Sequence, residues 1–149
     1  MMNNESKILK LPSLDYFGSW DTMQKFLEKR GNPLYSIDGD LKLIRSKIKS
    51  INNLVSVGGF LDLYKSEIES LDNLVSVGGF LNLHNTKIES LGNLESVGGS
   101  LDLISTQIKS LGNLESVGGD LYLLETPIAR MYSRDEIREM VDVAGNIFM

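Results

Sequence analysis

A chain of 149 residues, 42% of them hydrophobic, has enough apolar material for one continuous core and is expected to form a single domain over residues 1–149. The absence of cysteine excludes a disulfide framework and a thiolate metal site, and a net charge of -5 argues against the basic patch that a nucleic-acid binder uses to displace phosphate counterions. Residues 1–10 lack the long apolar run of a secretion signal, and no later stretch approaches the roughly 18 uninterrupted apolar residues of a membrane span, so the expectation is a soluble, cytoplasmic protein.

Residues 1–33 read as an N-terminal segment with a capping helix. Trp20, Met23, Phe26 and Leu27 fall on one face of a helix over Trp20 to Arg30, and Gly31 followed by Pro33 supplies the stop. Residues 34–130 carry the dominant signal: after a truncated unit at Leu34, Ile37 and Gly39, segments beginning at Leu41, Leu61, Leu81, Leu101 and Leu121 repeat every twenty residues. A unit this short cannot enclose a core alone, so neighbours must stack into a solenoid. Leu61 and Leu63 flank Asp62 with the period of two of a half-buried strand, and Ile68, Leu71, Leu74 and Val77 supply the other inward contacts. Gly78-Gly79 turns the chain into the next unit. Five such strands, about 4.8 Å apart, make a parallel sheet about 20 Å across.

The remaining repeated positions have structural readings. The Asn53, Asn73, Asn93, Asn113 column and the Ser56, Ser76, Ser96, Ser116 column are expected to satisfy turn backbones. Lys47, Glu67, Lys87 and Lys49, Glu69, Glu89, Lys109 form charge columns whose exposed pairs contribute about 0–1 kcal/mol each. Val57-Gly58-Gly59 has no following Lys-Ser/Thr and recurs in every unit, so it is not a phosphate loop. Residues 131–149 read as a C-terminal cap: Ser133 and Glu136 have capping-box spacing, Ile137, Met140 and Val141 form an apolar stripe, Gly145 ends the helix, and Ile147 and Phe148 close the core.

The segment Leu81-Asn82-Leu83-His84-Asn85-Thr86-Lys87-Ile88 resembles the strand signature Leu-x-Leu-x-x-Asn-x-Leu of the leucine-rich repeat superfamily. Thr86, like Ser46, Ser66, Thr106 and Thr126, stands where that family has an asparagine that bonds between coils, and Gly78 replaces the family's leading leucine. These departures bring the repeat closer to the coils of receptor L domains and to short leucine-rich-like proteins of tailed bacteriophages. The ending from Tyr132-Ser133-Arg134 to Ile147-Phe148 resembles the terminal cap of those phage proteins. The resemblance implies an α/β-type solenoid, a short parallel-stranded leucine-rich-repeat-like arc with an N-terminal helical cap and a small C-terminal helical cap. It marks no catalytic motif.

Recognition is expected where the units differ, on the outward positions of the strands. These hold Asp40, Phe60, Phe80, Ser100 and Asp120 first, Lys42, Asp62, Asn82, Asp102 and Tyr122 second, and Ile44, Tyr64, His84, Ile104 and Leu124 third. Phe60, Tyr64, Phe80 and His84 form the expected hot spot, with Asp62, Asn82 and Asp102 setting its polarity and Ile104 and Tyr122 extending it. Residues 1–17 folding over this face is the alternative. His84, the one histidine, has only Asp62 and Asp102 nearby as possible co-ligands and no activated Ser or Cys, so no metal and no cofactor are assigned. The expected function is a non-enzymatic protein-interaction module, a phage-encoded effector or inhibitor of a host protein such as a defence factor, in the host cytoplasm. It is expected to be a monomer or homodimer, without membrane or direct nucleic-acid binding. The alternatives are a homo-oligomer using the same aromatic face, a nucleic-acid mimic, and a hydrolase using His84.

Overall fold

The computed structural model describes residues 7–149. It opens with β1 (Leu9–Leu11), α1 (Leu14–Phe17) and α2 (Trp20–Glu28). Short strands follow: β2 (Tyr35–Ile37), β3 (Leu41–Lys42), β4 (Leu54–Val57), β5 (Leu61–Asp62), β6 (Ser76–Val77) and β7 (Leu81–Asn82). The pattern continues through β8 (Ser96–Val97), β9 (Leu101–Asp102), β10 (Ser116–Val117) and β11 (Leu121–Tyr122). The chain closes with α3 (Pro127–Met131), α4 (Arg134–Met140), β12 (Asp142–Val143) and β13 (Ile147–Phe148).

These strands build a parallel β-solenoid with two sheets, one more than the repeat pattern suggested. The Leu-x-Leu strands form a six-stranded sheet in the order β13-β11-β9-β7-β5-β3, and the Ser-Val segments form a seven-stranded sheet in the order β1-β2-β4-β6-β8-β10-β12. Equivalent residues pair at intervals of one repeat, Leu61 with Leu81 and Ser76 with Ser96. The return from Leu43 to Asn53, and its equivalents in later coils, hold no helix, so the α/β character ends at the flanks and the coils themselves are extended and turned. Between the sheets Leu61, Leu63, Ile68, Leu71, Leu74 and Val77 are all buried, as are their counterparts in the next two coils.

Two repeated positions act differently from expectation. Ser56, Ser76, Ser96 and Ser116 lie in the strands of the seven-stranded sheet, not in turns. Thr86, Thr106 and Thr126 each donate Oγ1 to the carbonyl three residues earlier at 2.6–2.7 Å, within the coil and not between coils. A threonine side chain is too short to reach the next rung, but it can curl back onto its own turn. The asparagine column does reach between coils, to turn carbonyls in two cases as expected: Asn53 Nδ2 donates to Asn32 O at 2.7 Å, Asn73 Nδ2 to Asn53 Oδ1 at 3.0 Å and Asn93 Nδ2 to Asp72 O at 3.3 Å. The glycines have a steric cause, since a Cβ on Gly78 would collide with the carbonyl oxygen of Gly58, and the same holds for Gly98 against Gly78. Coils stacked at strand spacing leave no room there for any side chain.

At the N-terminal end Ser19 caps α2 by accepting from Thr22 N–H, and the helix buries Met23 and Leu27 against the first coil. Tyr35 is buried beside them and donates its hydroxyl to Ile51 O at 2.9 Å, and burial pushes its phenol well above the usual tyrosine range. At the C-terminal end both bonds of the Ser133–Glu136 capping box form. Ile137 and Val141 point inward, whereas Met140 is exposed. Gly145 does not end α4, which stops at Met140; its N–H donates to Gly119 O at 2.9 Å, so it occupies the corner of a further coil. That coil supplies β12 and β13, and Ile147 joins the core while Phe148 faces outward.

Candidate functional site

The outward positions of the six-stranded sheet form one surface, because parallel strands in register bring equivalent residues to adjacent rungs. Phe60 and Phe80 stack face to face with ring centroids 4.6 Å apart and planes 5° from parallel. Tyr64 and His84 meet edge to face at 5.3 Å. His84 Nδ1 lies 3.3 Å from Asp102 Oδ2 on the next rung, which orients the imidazole. The four residues expected as the hot spot are therefore two adjacent ring pairs on the same two rungs.

The three polar residues expected to set polarity have a backbone task. Asp62 Oδ1 accepts from Tyr64 N–H at 3.1 Å, Asn82 Oδ1 from His84 N–H at 3.0 Å and Asp102 Oδ1 from Ile104 N–H at 2.9 Å. Each short side chain holds the strand end on which the next outward residue stands, an Asx turn in which the side-chain oxygen accepts from the backbone two residues on. Asp62 is only 9% exposed, so it presents little charge to solvent.

The first outward column divides by chemistry. Asp40 Oδ1 accepts from Phe60 N–H at 2.9 Å, Ser100 Oγ from Asp120 N–H at 3.0 Å and Asp120 Oδ1 from Asn146 N–H at 2.8 Å. Phe60 and Phe80 offer no acceptor at that place and stack their rings instead. Ile104 is half-buried on the fourth rung. Tyr122 stacks on Phe148 at 4.9 Å and donates its hydroxyl to Asp120 Oδ2 at 3.4 Å. Desolvation, and then the Asp120 and Asp102 carboxylates, raise the Tyr122 phenol above its ordinary range.

Phe148 is the site residue that the repeat pattern missed. It follows Tyr122 by more than one repeat, because α3 and α4 interrupt the period, yet Tyr122 and Phe148 pair in register. A Gly-Asn-Ile-Phe ending, Gly145 to Phe148, matches the Gly79-Phe80-Leu81-Asn82 corner and was the available signal. Ile44, Phe80, Leu124 and Phe148, all on this face, are 39–41% exposed. They are four of the eight large apolar side chains standing exposed among the described residues.

Residues 7–17 do not lie across the face. Leu9–Leu11 pairs with Tyr35–Ile37 at the edge of the other sheet, and Leu14 and Asp15 approach the first rung, where they line a pocket with Asp40, Lys42 and Phe60. The part of the expected cover that involves residues 1–6 falls outside the described residues. A second open groove runs along the seven-stranded sheet, lined by the repeated Ser, Val and Gly positions. Among the described residues no cluster of His, Asp or Glu could hold a metal ion, and no serine is bonded to His84. No helix among them is long and apolar enough to cross a membrane. No protein-family model, curated protein or solved structure matches the chain.

Proposed function

We propose that this chain is a non-enzymatic protein-interaction module that takes a partner protein on the outer face of its six-stranded sheet. The observation that carries the reading is the gathering of half of the large apolar side chains exposed among the described residues, Ile44, Phe80, Leu124 and Phe148, on that one face. Rings held by a rigid sheet lose little conformational freedom on docking, and aromatic side chains dominate interface centres. Phe60, Tyr64, Phe80 and His84 form the centre of contact, Ile104 and Tyr122 extend it, and Asp62, Asn82 and Asp102 hold the strand ends on which Tyr64, His84 and Ile104 stand.

The leucine-rich-repeat-like strand signature extends the proposal. Residues 7–33 and 131–149 serve as covers for the two ends of a single domain, and the likeness of the repeat and its ending to small phage proteins suggests a phage-encoded effector. It would act in the host cytoplasm by occupying a host protein, a defence factor being the first candidate.

The test is retention of a host protein by the purified chain, compared with a Phe60→Ser/Phe80→Ser variant of unchanged unfolding midpoint. Removing two central aromatics is expected to weaken the complex about thirtyfold or more. Equal retention by both proteins would reject this face.

A further inference from the structure

The cleft between α2 and the turns of the first two coils holds side chains that neither the helix nor the turns require. It offers about 430 Å³, within the range of small-molecule sites, and is lined by five carboxamides, two carboxylates and one hydroxyl, without an apolar or cationic side chain. Two departures from the surrounding pattern put these groups there. In four successive turns a serine Oγ accepts from the backbone N–H two residues on, Ser50 from Asn52, Ser70 from Asp72, Ser90 from Gly92 and Ser110 from Gly112, at 2.9–3.0 Å. The residue two on is left-handed each time, with φ between 51° and 58°. Glycine meets that requirement without steric cost, and the later coils use it. The first two coils carry Asn52 and Asp72 instead, so side chains that the turn itself does not use line the cleft. Glu28 is the second departure. A carboxylate on the last residue of α2 opposes the helix dipole, and it has no hydrogen bond or ion pair among the described residues.

The lining is held in place by its own bonds. Asn52 Nδ2 donates to Gln24 Oε1 at 2.6 Å, Asn53 Nδ2 to Asn32 O at 2.7 Å and Asn73 Nδ2 to Asn53 Oδ1 at 3.0 Å. Asp72 Oδ2 accepts from Ser50 Oγ at 2.6 Å and from Ile51 N–H at 3.3 Å. Left over among the described residues are acceptors, the Glu28 carboxylate with Asp72 Oδ1 and Asn73 Oδ1, and donors, the second N–H of the Asn52, Asn53 and Asn73 amides.

We propose that this cleft binds a neutral sugar, whose hydroxyls give protons to the carboxylate and amide oxygens and take them from the carboxamide N–H groups. A metal ion or an ammonium group would satisfy only the acceptors, and an anion only the donors while facing two carboxylates. A hydroxyl does both. The cleft has no ring for the sugar to stack on, and water competes for each hydrogen bond, so the dissociation constant is on the order of 1 mM. The site shares no residue with the aromatic face and does not depend on its reading as a docking surface.

Nuclear magnetic resonance titration of the full chain tests it, with glucose, galactose, mannose, N-acetylglucosamine, maltotriose and chitotriose each added to about 50 mM. Glucuronate, calcium chloride and arginine are titrated in parallel. At least one neutral saccharide is expected to shift the side-chain amide signals of Asn52, Asn53 and Asn73 saturably. A trisaccharide that binds more tightly than its single ring identifies a glycan chain as the source, and equal affinity identifies a free sugar. Asp72→Gly and Asn52→Gly reproduce the turns at Gly92 and Gly112, so each is expected to fold and to weaken binding about tenfold. Glu28→Gln keeps an acceptor but removes the charge, and is expected to weaken a sugar less than about fivefold while abolishing the binding of a cation. Saturation by none of the saccharides, saturation by calcium or arginine alone, glucuronate binding as tightly as glucose, or full affinity in both glycine variants would overturn the sugar site. Any of these leaves the aromatic face to be judged by host-protein retention.

Discussion

The two sheets come from the same coils, yet their outer faces differ in kind. On the seven-stranded sheet the outward positions repeat, Ser56, Ser76, Ser96 and Ser116 beside a column of glycines. On the six-stranded sheet the outward positions change from rung to rung, from Phe60 and Phe80 to Ser100 and Asp120. The difference is steric. At the Gly58, Gly78, Gly98 corner each coil presses its backbone on the one before, so a side chain is forbidden, whereas the Leu-x-Leu strands turn alternate residues into open solvent. Where stacking dictates the residue type the repeat is monotonous, and where it does not, the surface is free to carry recognition.

The sharpest way to break this comparison is to place a side chain in the crowded corner. Gly98→Ala puts a methyl into the Gly78 carbonyl, and the expected cost is about 3 kcal/mol in chemical denaturation. A loss below about 0.5 kcal/mol would mean the coils can slide apart to admit it. On the variable face the largest structural effect is expected from Asp102→Ala, which frees Ile104 N–H and the His84 ring and costs about 1–2 kcal/mol. Phe80→Ala, on the same sheet but without a hydrogen bond to lose, is expected to cost less than Asp102→Ala. The reverse order of midpoints would show that ring stacking, not the Asx turn, organises the face.

A smaller effect is expected inside the coil. Ser66 Oγ is buried without a partner, whereas Thr86 Oγ1 at the equivalent place donates to Leu83 O at 2.7 Å. Ser66→Thr adds the methyl that fixes this rotamer and is expected to stabilise by about 0.5–1 kcal/mol. The smallest effect is a titration. Desolvation and then the Asp120 carboxylate raise the Tyr122 phenol, so Asp120→Asn should lower its midpoint by ultraviolet absorbance without returning it fully to the ordinary value. Because the folded phenol holds its proton more tightly than the unfolded one, this contribution to stability is present below the unfolded pKa and is lost as pH rises through the folded one. A Tyr122 midpoint unmoved by Asp120→Asn would leave desolvation and the Asp102 carboxylate as the causes.

Much of this was legible in the residues. The period placed Leu61, Leu63, Ile68, Leu71, Leu74 and Val77 inside, and all are buried. Trp20 was read as the first helical residue and is so, and the Ser133–Glu136 box forms. The ring neighbours Phe60 with Phe80 and Tyr64 with His84 followed from register alone. Less legible was any feature depending on what a side chain bonds once the coils are stacked. Asp62, Asn82 and Asp102 look like surface polarity in one dimension, and Thr86 looks like a substitute for an inter-coil asparagine. Only the backbone conformation around Leu83 reveals that the Thr86 hydroxyl returns to its own turn.

The sequence by itself determined the solenoid, its rung spacing and the inward and outward sides of each Leu-x-Leu strand, because a twenty-residue period and an alternation of two leave few other ways to bury those leucines. The second sheet was decided by tertiary structure: two-residue Ser-Val segments are too short to read as strands until stacking pairs Ser76 with Ser96 and Val77 with Val97. The sixth rung was decided there as well. Two short helices break the period after Thr126, and it is the pairing of Leu121 with Ile147 and Tyr122 with Phe148 that returns the chain to register and completes the aromatic face.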